Sequence, residues 1–132
     1  MTPAIQQSIT LPAPPEELFR TFLDSKKHSA MTGMPAKIGT KVGSEWSAFD
    51  GSIWGRTLMI VPDKLIVQSW RSSAFKKTDP DSILLVTFSK VPEGGKIDLM
   101  HVNVAPQDHK GVTNGWKDYY WKRWRAYLSG RR

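Results

Sequence analysis

Apolar positions in the stretch 112–128, VTNGWKDYYWKRWRAYL, recur at steps of three and four: Val112, Trp116, Tyr119 or Tyr120, Trp124, and Tyr127 or Leu128. Residues at that spacing share one face of a helix, so the pattern predicts a long amphipathic C-terminal helix against which the rest of the chain packs. Thr113 or Asn114 can cap its start through a side-chain oxygen, and Gly130 can stop it. Lys117, Asp118, Lys122, Arg123 and Arg125 fill the opposite arc as a solvated basic face. Trp121 falls off the stripe and is expected to be exposed or packed on a sheet edge.

Upstream the period changes. Residues 4–11 are rich in β-branched side chains and end at Pro12, which reads as a first strand. The segment PAPPEELFRTFLD then carries prolines up to Pro15, the acidic pair Glu16 and Glu17, and Leu18, Phe19, Phe22 and Leu23 at helical spacing, a short amphipathic helix. Ser25 can cap a second short helix ending near Gly33, and residues 34–43 have the Pro and Gly content of a loop. Between residues 44 and 105 the chain reads as five strands joined by turn chemistry. Asp50-Gly51 marks a tight hairpin, Pro62-Asp63-Lys64 and Pro92-Glu93-Gly94-Gly95 mark two further turns, and a longer connection spans residues 72–81. With the first strand these make a six-stranded antiparallel sheet. In the last strand Ile97, Leu99, His101 and Asn103 share one face and Asp98, Met100, Val102 and Val104 the other, with nothing in the pattern to say which points inward.

The chain is 132 residues long, enough for a single domain over 1–132 with its own core. It has no cysteine, which excludes disulfides and thiolate metal sites and suits a reducing compartment such as the cytoplasm. No apolar run approaches the roughly 20 residues of a membrane span, and the start lacks the features of a signal peptide. A net charge of +7 favours anionic partners. Lys117, Lys122, Arg123, Arg125, Arg131 and Arg132, with Trp121 for stacking, could contact a nucleic-acid backbone. No recognised nucleic-acid module accompanies them, and such a run is usually a solvated face, so this reading ranks last.

Catalytic chemistry finds little to stand on. His28, His101 and His109 have no ligand spacing, so no metal is expected, and no cofactor either. The carboxylates Glu16, Glu17, Asp50, Asp63, Asp79, Asp81 and Glu93 sit in turns or helix starts, and there is no nucleophile elbow, phosphate loop or dinucleotide fingerprint. No catalytic residue is assigned.

Five short motifs in order carry a family resemblance: Pro15-Glu16-Glu17-Leu18-Phe19; His28 ahead of Met31-Thr32-Gly33; Phe49-Asp50-Gly51-Ser52-Ile53-Trp54-Gly55; Ile66-Val67-Gln68-Ser69-Trp70-Arg71; and Gly115-Trp116 with Tyr120-Trp121. Together they resemble the family homologous to the C-terminal domain of the activator of the 90-kDa heat-shock protein ATPase, within the START and birch-pollen-allergen-like superfamily. The resemblance implies an α+β helix-grip fold, a curved six-stranded antiparallel sheet wrapped around the C-terminal helix with two short helices after strand one. It also implies a heat-shock chaperone as a possible partner. A strongly curved sheet closing on one helix tends to leave a cavity, and the tryptophans fall on both sides of it. The expected ligand-binding residues are Trp46, Trp70, Phe88, His101, Trp116, Tyr120 and Trp124, with His101 and Tyr120 as polar anchors for a small apolar or aromatic molecule.

Overall fold

The computed structural model describes residues 2–130. In chain order it contains β1 (Ile5–Leu11), α1 (Pro15–Leu23), α2 (Ser25–Thr32), β2 (Lys37–Ile38), β3 (Glu45–Ala48), β4 (Ile53–Val61), β5 (Leu65–Ser72), β6 (Ser82–Val91) and β7 (Gly94–Val102). A 3₁₀ turn (Pro106–Asp108) then leads into a helix made of α3 (His109–Gly115), a π-helical segment (Trp116–Trp121) and α4 (Lys122–Gly130). The fold is α+β, with one antiparallel sheet in the order β1-β7-β6-β5-β4-β3-β2.

The sheet has seven strands, where the sequence predicts six. The addition is β2, whose Lys37 and Ile38 pair with Ser47 and Trp46. Two residues carry no readable alternation, and a side chain holds them in place. Ser25 Oγ accepts the Ile38 N–H at 2.7 Å, so Ser25 does not cap α2. Asp24 does, accepting the Lys27 N–H at 2.8 Å, and Gly33 ends the helix at φ 79°.

Cross-strand register settles which faces are inward. Phe88, Val86 and Leu84 lie opposite Ile97, Leu99 and His101, and all six are buried. Asn103 adopts φ 62°, which breaks the alternation and turns Val104 into the core while Asn103 itself stays exposed. Helix α1 lies on this face, with Phe19 edge-on to Phe88 at 5.6 Å. A Cβ at Gly95 would stand 2.6 Å from Leu18 Cδ1, so the close approach of α1 to β7 depends on that glycine.

The C-terminal helix starts earlier than its apolar stripe suggests. Pro106 opens the turn into His109, and Thr113 is inside the helix, its hydroxyl donating to the His109 carbonyl at 2.8 Å, so neither Thr113 nor Asn114 is the cap. The helix continues to Gly130, the last described residue, which leaves Arg131 and Arg132 outside the described residues. Hydrogen bonds spanning five residues, as from the Lys122 N–H to the Lys117 carbonyl, widen the turn at 116–121. Residues five apart then share a face, and Trp121 comes onto the buried side, stacked on Trp116 at 5.8 Å. Its Nε1–H donates to Gln7 Oε1 at 2.7 Å, and Gln7 Nε2 donates to the Thr113 carbonyl at 2.9 Å, which ties the helix to edge strand β1. Tyr119 turns outward and is 51% exposed, so of the tyrosine pair only Tyr120 belongs to the stripe.

Candidate functional site: an aromatic cleft beside the C-terminal helix

Between the C-terminal helix and the ends of β4 and β5 runs a cleft of about 430 Å³. Its helix side is formed at steps of three and four by Asp108, Gly111, Val112, Gly115, Trp116, Tyr119, Tyr120 and Arg123. The facing side comes from Phe49 on the β3–β4 turn, from Ile53, and from Trp70 and the residues just after β5. Phe49 and Asp50 occupy the left-handed region at φ 52° and 56°, with Gly51 at 88°. That conformation is costly for a phenylalanine, and here it sets the ring over the helix, 5.9 Å from Tyr119 and 5.4 Å from Tyr120.

A second layer behind the wall fixes the rings. Trp116 Nε1–H donates to His101 Nδ1 at 3.2 Å. On the far side of the imidazole, Ser82 Oγ lies 2.9 Å from Nε2 and donates its own hydrogen to the Trp70 carbonyl at 2.7 Å. With that hydrogen committed, Ser82 accepts from His101, so the imidazole carries its proton on Nε2. Burial lowers the His101 pKa to about 3, with a smaller contribution from His109, and the ring is neutral.

His28 supports Tyr120 in a similar way. Its Nδ1 lies 2.8 Å from the Phe22 carbonyl, which can only accept, so Nδ1 bears the proton and Nε2 accepts from the Tyr120 hydroxyl at 2.8 Å. Burial lowers the His28 pKa to about 4 and raises that of Tyr120, which keeps both neutral at ordinary pH. At the rim, Arg123 donates to the Thr32 carbonyl at 2.6 Å and lies 5.0 Å from the centre of the Tyr119 ring.

Of the seven residues expected from sequence, Trp70, Trp116 and Tyr120 come together as cleft wall. His101 sits directly behind them, fully buried, edge-on to Trp70 at 4.7 Å. Phe88 lies under α1, and Trp124 is enclosed in the core, stacked on Phe22 at 6.3 Å. Trp46 is on β3, where its Nε1–H donates to the Ser69 carbonyl at 3.2 Å. There it lines a second hollow of about 650 Å³ with several charged residues. Two charge pairs of that hollow, Arg56 with Glu45 and Arg71 with Asp81, satisfy one another, which makes it a poorer receptor for an apolar guest.

Sequence reasoning missed Phe49 and Arg123 as parts of the cleft and His28 as the support behind Tyr120. His28 and Phe49 stood in the motifs, but the partner of His28 is 92 positions away, and Arg123 was counted with the solvated face. His28, His101 and His109 make separate contacts, and among the described residues no three His, Asp or Glu side chains form a group that could hold a metal ion. No helix among them is long and apolar enough to cross a membrane.

Comparison with known proteins matches residues 12–129 to the family model for Activator of Hsp90 ATPase homolog 1-like protein. Human activator of 90 kDa heat shock protein ATPase homolog 1 is 29% identical over 111 residues, which cover 82% of this chain and 32% of that protein. A protein of Schizosaccharomyces pombe is 28% identical over 119 residues, 90% of this chain and 35% of the relative. The chain thus spans about a third of the length of the curated relatives it matches. Among solved structures, a 90 kDa heat shock protein activator from Plasmodium falciparum superposes with a TM-score of 0.87 at 27% identity, covering 96% of both chains. The Aha1 dimer of Colwellia psychrerythraea superposes at 0.80 with 14% identity, also over 96% of both, a likeness of fold alone.

Proposed function

We propose that this chain, which belongs to the family of Activator of Hsp90 ATPase homolog 1-like proteins, binds a small apolar or aromatic molecule in the cleft between its sheet and its C-terminal helix. The observation that carries this reading is the cleft itself, about 430 Å³ with Phe49, Trp70, Trp116 and Tyr120 in its walls. That volume falls in the range of small-molecule sites, roughly 300–1,000 Å³. The hydrogen bonds of His101 and His28 hold Trp116 and Tyr120 before any guest arrives, which lowers the ordering cost of binding. Titration of lipids, sterols and aromatic metabolites against intrinsic tryptophan fluorescence tests the reading. Saturable quenching in the wild type that weakens in a folded Trp116→Ala variant is the expected result. No saturable response across the panel overturns it.

A second reading, cofactor of a heat-shock chaperone, is favoured by the names of the human and Plasmodium relatives. Because the chain matches only about a third of the human protein, that protein's whole activity is a proposal for this one. The ATPase rate of the 90 kDa heat shock protein from the same organism, measured with and without this domain, decides it. An unchanged rate at high micromolar domain removes the second reading and leaves the first untouched.

A further inference from the structure

We infer that the cleft is built for an apolar monocarboxylate, lying along the C-terminal helix with its acid group at Arg123. This rests on the cleft-binding reading above and adds the chemical class of the guest. Three observations lead to it.

The first is a pair of glycines. Gly111 and Gly115 stand one turn apart inside a helix, where glycine is destabilising relative to alanine. A Cβ at Gly115 would meet only Tyr119 Cδ2 at 3.6 Å, an ordinary contact, and one at Gly111 only Asp108 Oδ1 at 3.3 Å. Neither glycine has positive φ. The protein's own packing therefore does not require Gly115, whereas a Cβ at Gly111 would press on the Asp108 carboxylate that Ser72 holds. Both line the cleft, where they keep the helix surface low enough for another molecule to lie against the backbone.

The second observation is an orphan donor. Trp70, 5% exposed, lines the same cleft, and its buried Nε1–H has no hydrogen-bond partner in the structure. A sealed, unpaired N–H is unfavourable and marks a part of the wall that the protein's own groups leave unsatisfied, as they also leave Trp124 outside the cleft; the oxygens of an acid held at Arg123 are committed there and do not serve it. Trp116, by contrast, has its indole N–H paired within the protein.

The third is Arg123. Its guanidinium is held by the Thr32 carbonyl and the Tyr119 ring, and none of the salt bridges among the described residues involves it. One of its five N–H donors has a protein acceptor and the fork is otherwise available. A guanidinium fixed at the rim of an apolar cleft selects a planar oxyanion on an apolar body, and carboxylate geometry fits the fork with two parallel bonds. At the opposite end of the cleft Asp108 is engaged by the Ser72 hydroxyl at 2.5 Å, and its negative charge sets the acid end at Arg123.

The test is calorimetric titration of dodecanoate and 2-naphthoate beside their uncharged counterparts dodecan-1-ol and 2-naphthalenemethanol. Wild type, Arg123→Gln and Gly115→Leu are compared after circular dichroism confirms that each is folded. The acids should bind wild type at least about tenfold tighter than the alcohols, as one charge-assisted bidentate contact supplies. Arg123→Gln should bring the acids down to the affinity of the alcohols and leave the alcohols unchanged. Gly115→Leu should weaken both by at least about tenfold, since its side chain enters the space of the guest. In the wild type alone, rising salt should weaken the acids and not the alcohols, which keeps the test decisive even where a variant does not fold. Equal binding of acids and alcohols, or an acid preference that survives in Arg123→Gln, overturns the inference while the cleft-binding reading stands. Binding that ignores Gly115→Leu overturns the placement along the helix. Absence of saturable binding by all four probes overturns the inference, and the cleft-binding reading is then decided by the wider panel of lipids, sterols and aromatic metabolites.

Discussion

Two buried histidines hold the rings beside the cleft, and they do so differently. His101 has a committed partner on each nitrogen, a fixed indole donor on one side and a hydroxyl on the other whose hydrogen is already given away. His28 ends on the Tyr120 hydroxyl, which can rotate, and Tyr120 is itself part of the cleft wall. A proton added to His101 Nδ1 would face an indole N–H that cannot become an acceptor. A proton added to His28 Nε2 would face an oxygen with lone pairs to offer. One end is therefore a closed brace, and the other is a brace whose last member can respond to a guest in the cleft.

Acid exposes both histidines and should have the largest effect. The unfolded chain protonates each near the usual histidine value of about 6.5, whereas the folded chain holds His28 neutral to about 4 and His101 to about 3. Between those values the unfolded state binds more protons, so stability falls as pH drops below about 6.5 and levels off only under the folded pKa values, at roughly 1.4 kcal/mol per pH unit for each histidine. Urea unfolding at pH 7, 5.5 and 4.5 should record the decline, and a flat profile would contradict the neutral assignments.

Replacing His101 with phenylalanine breaks the closed brace. It leaves the Trp116 indole N–H without an acceptor in the core, and a loss of about 2–4 kcal/mol is expected by chemical denaturation. Tyr120→Phe acts on the responsive brace. It strands only the His28 Nε2 acceptor and should cost about 1–2 kcal/mol. A Tyr120→Phe loss equal to that of His101→Phe would erase the distinction between the two ends. The smallest effect is expected on the cleft floor, where Gly115→Ala should stabilise the helix by up to about 1 kcal/mol. A rise of a few degrees in Tm would show that this glycine is not there for stability, whereas a fall would mean that the helix surface is packed more tightly than the 3.6 Å contact indicates.

Much of the frame could be read from the chain because it rests on local chemistry. The turns at Asp50-Gly51 and Pro62-Asp63-Lys64 fall between the strands they were expected to join, the last hairpin turns on Pro92-Glu93 alone while Gly94 and Gly95, expected in the turn, already pair in β7, and α1 follows its prolines and acidic first turn. The features that escaped depend on distance or on broken rules of period. Strand β2 is too short to alternate, and Asn103 interrupts the alternation that would have placed Val104. Trp121 packs on the sheet edge at Gln7, one of the two places expected for it, yet it also joins the buried face, because a 3.6-residue period does not hold through its segment. For the cleft, aromatic content suggested Trp70, Trp116 and Tyr120. Whether a ring borders a void or fills one depends on neighbours far along the chain: Trp124 is stacked on Phe22, and Phe49 reaches the helix only through a left-handed turn.

The widened segment at 116–121 amounts to one surplus residue in an otherwise ordinary amphipathic helix. Removing the exposed Asp118 and moving every later residue back by one position places Trp116, Tyr120, Trp121, Trp124 and Leu128 at offsets of zero, three, four, seven and eleven, the spacing of an unbroken α-helical stripe. The wide turn absorbs the surplus on the spot, so Trp124 and Leu128 still meet the core. A chain shortened by that single residue should close the helix into regular pitch and keep the same side chains buried. The helix thus carries its insertion as a local change of diameter, without passing the error on to the residues downstream.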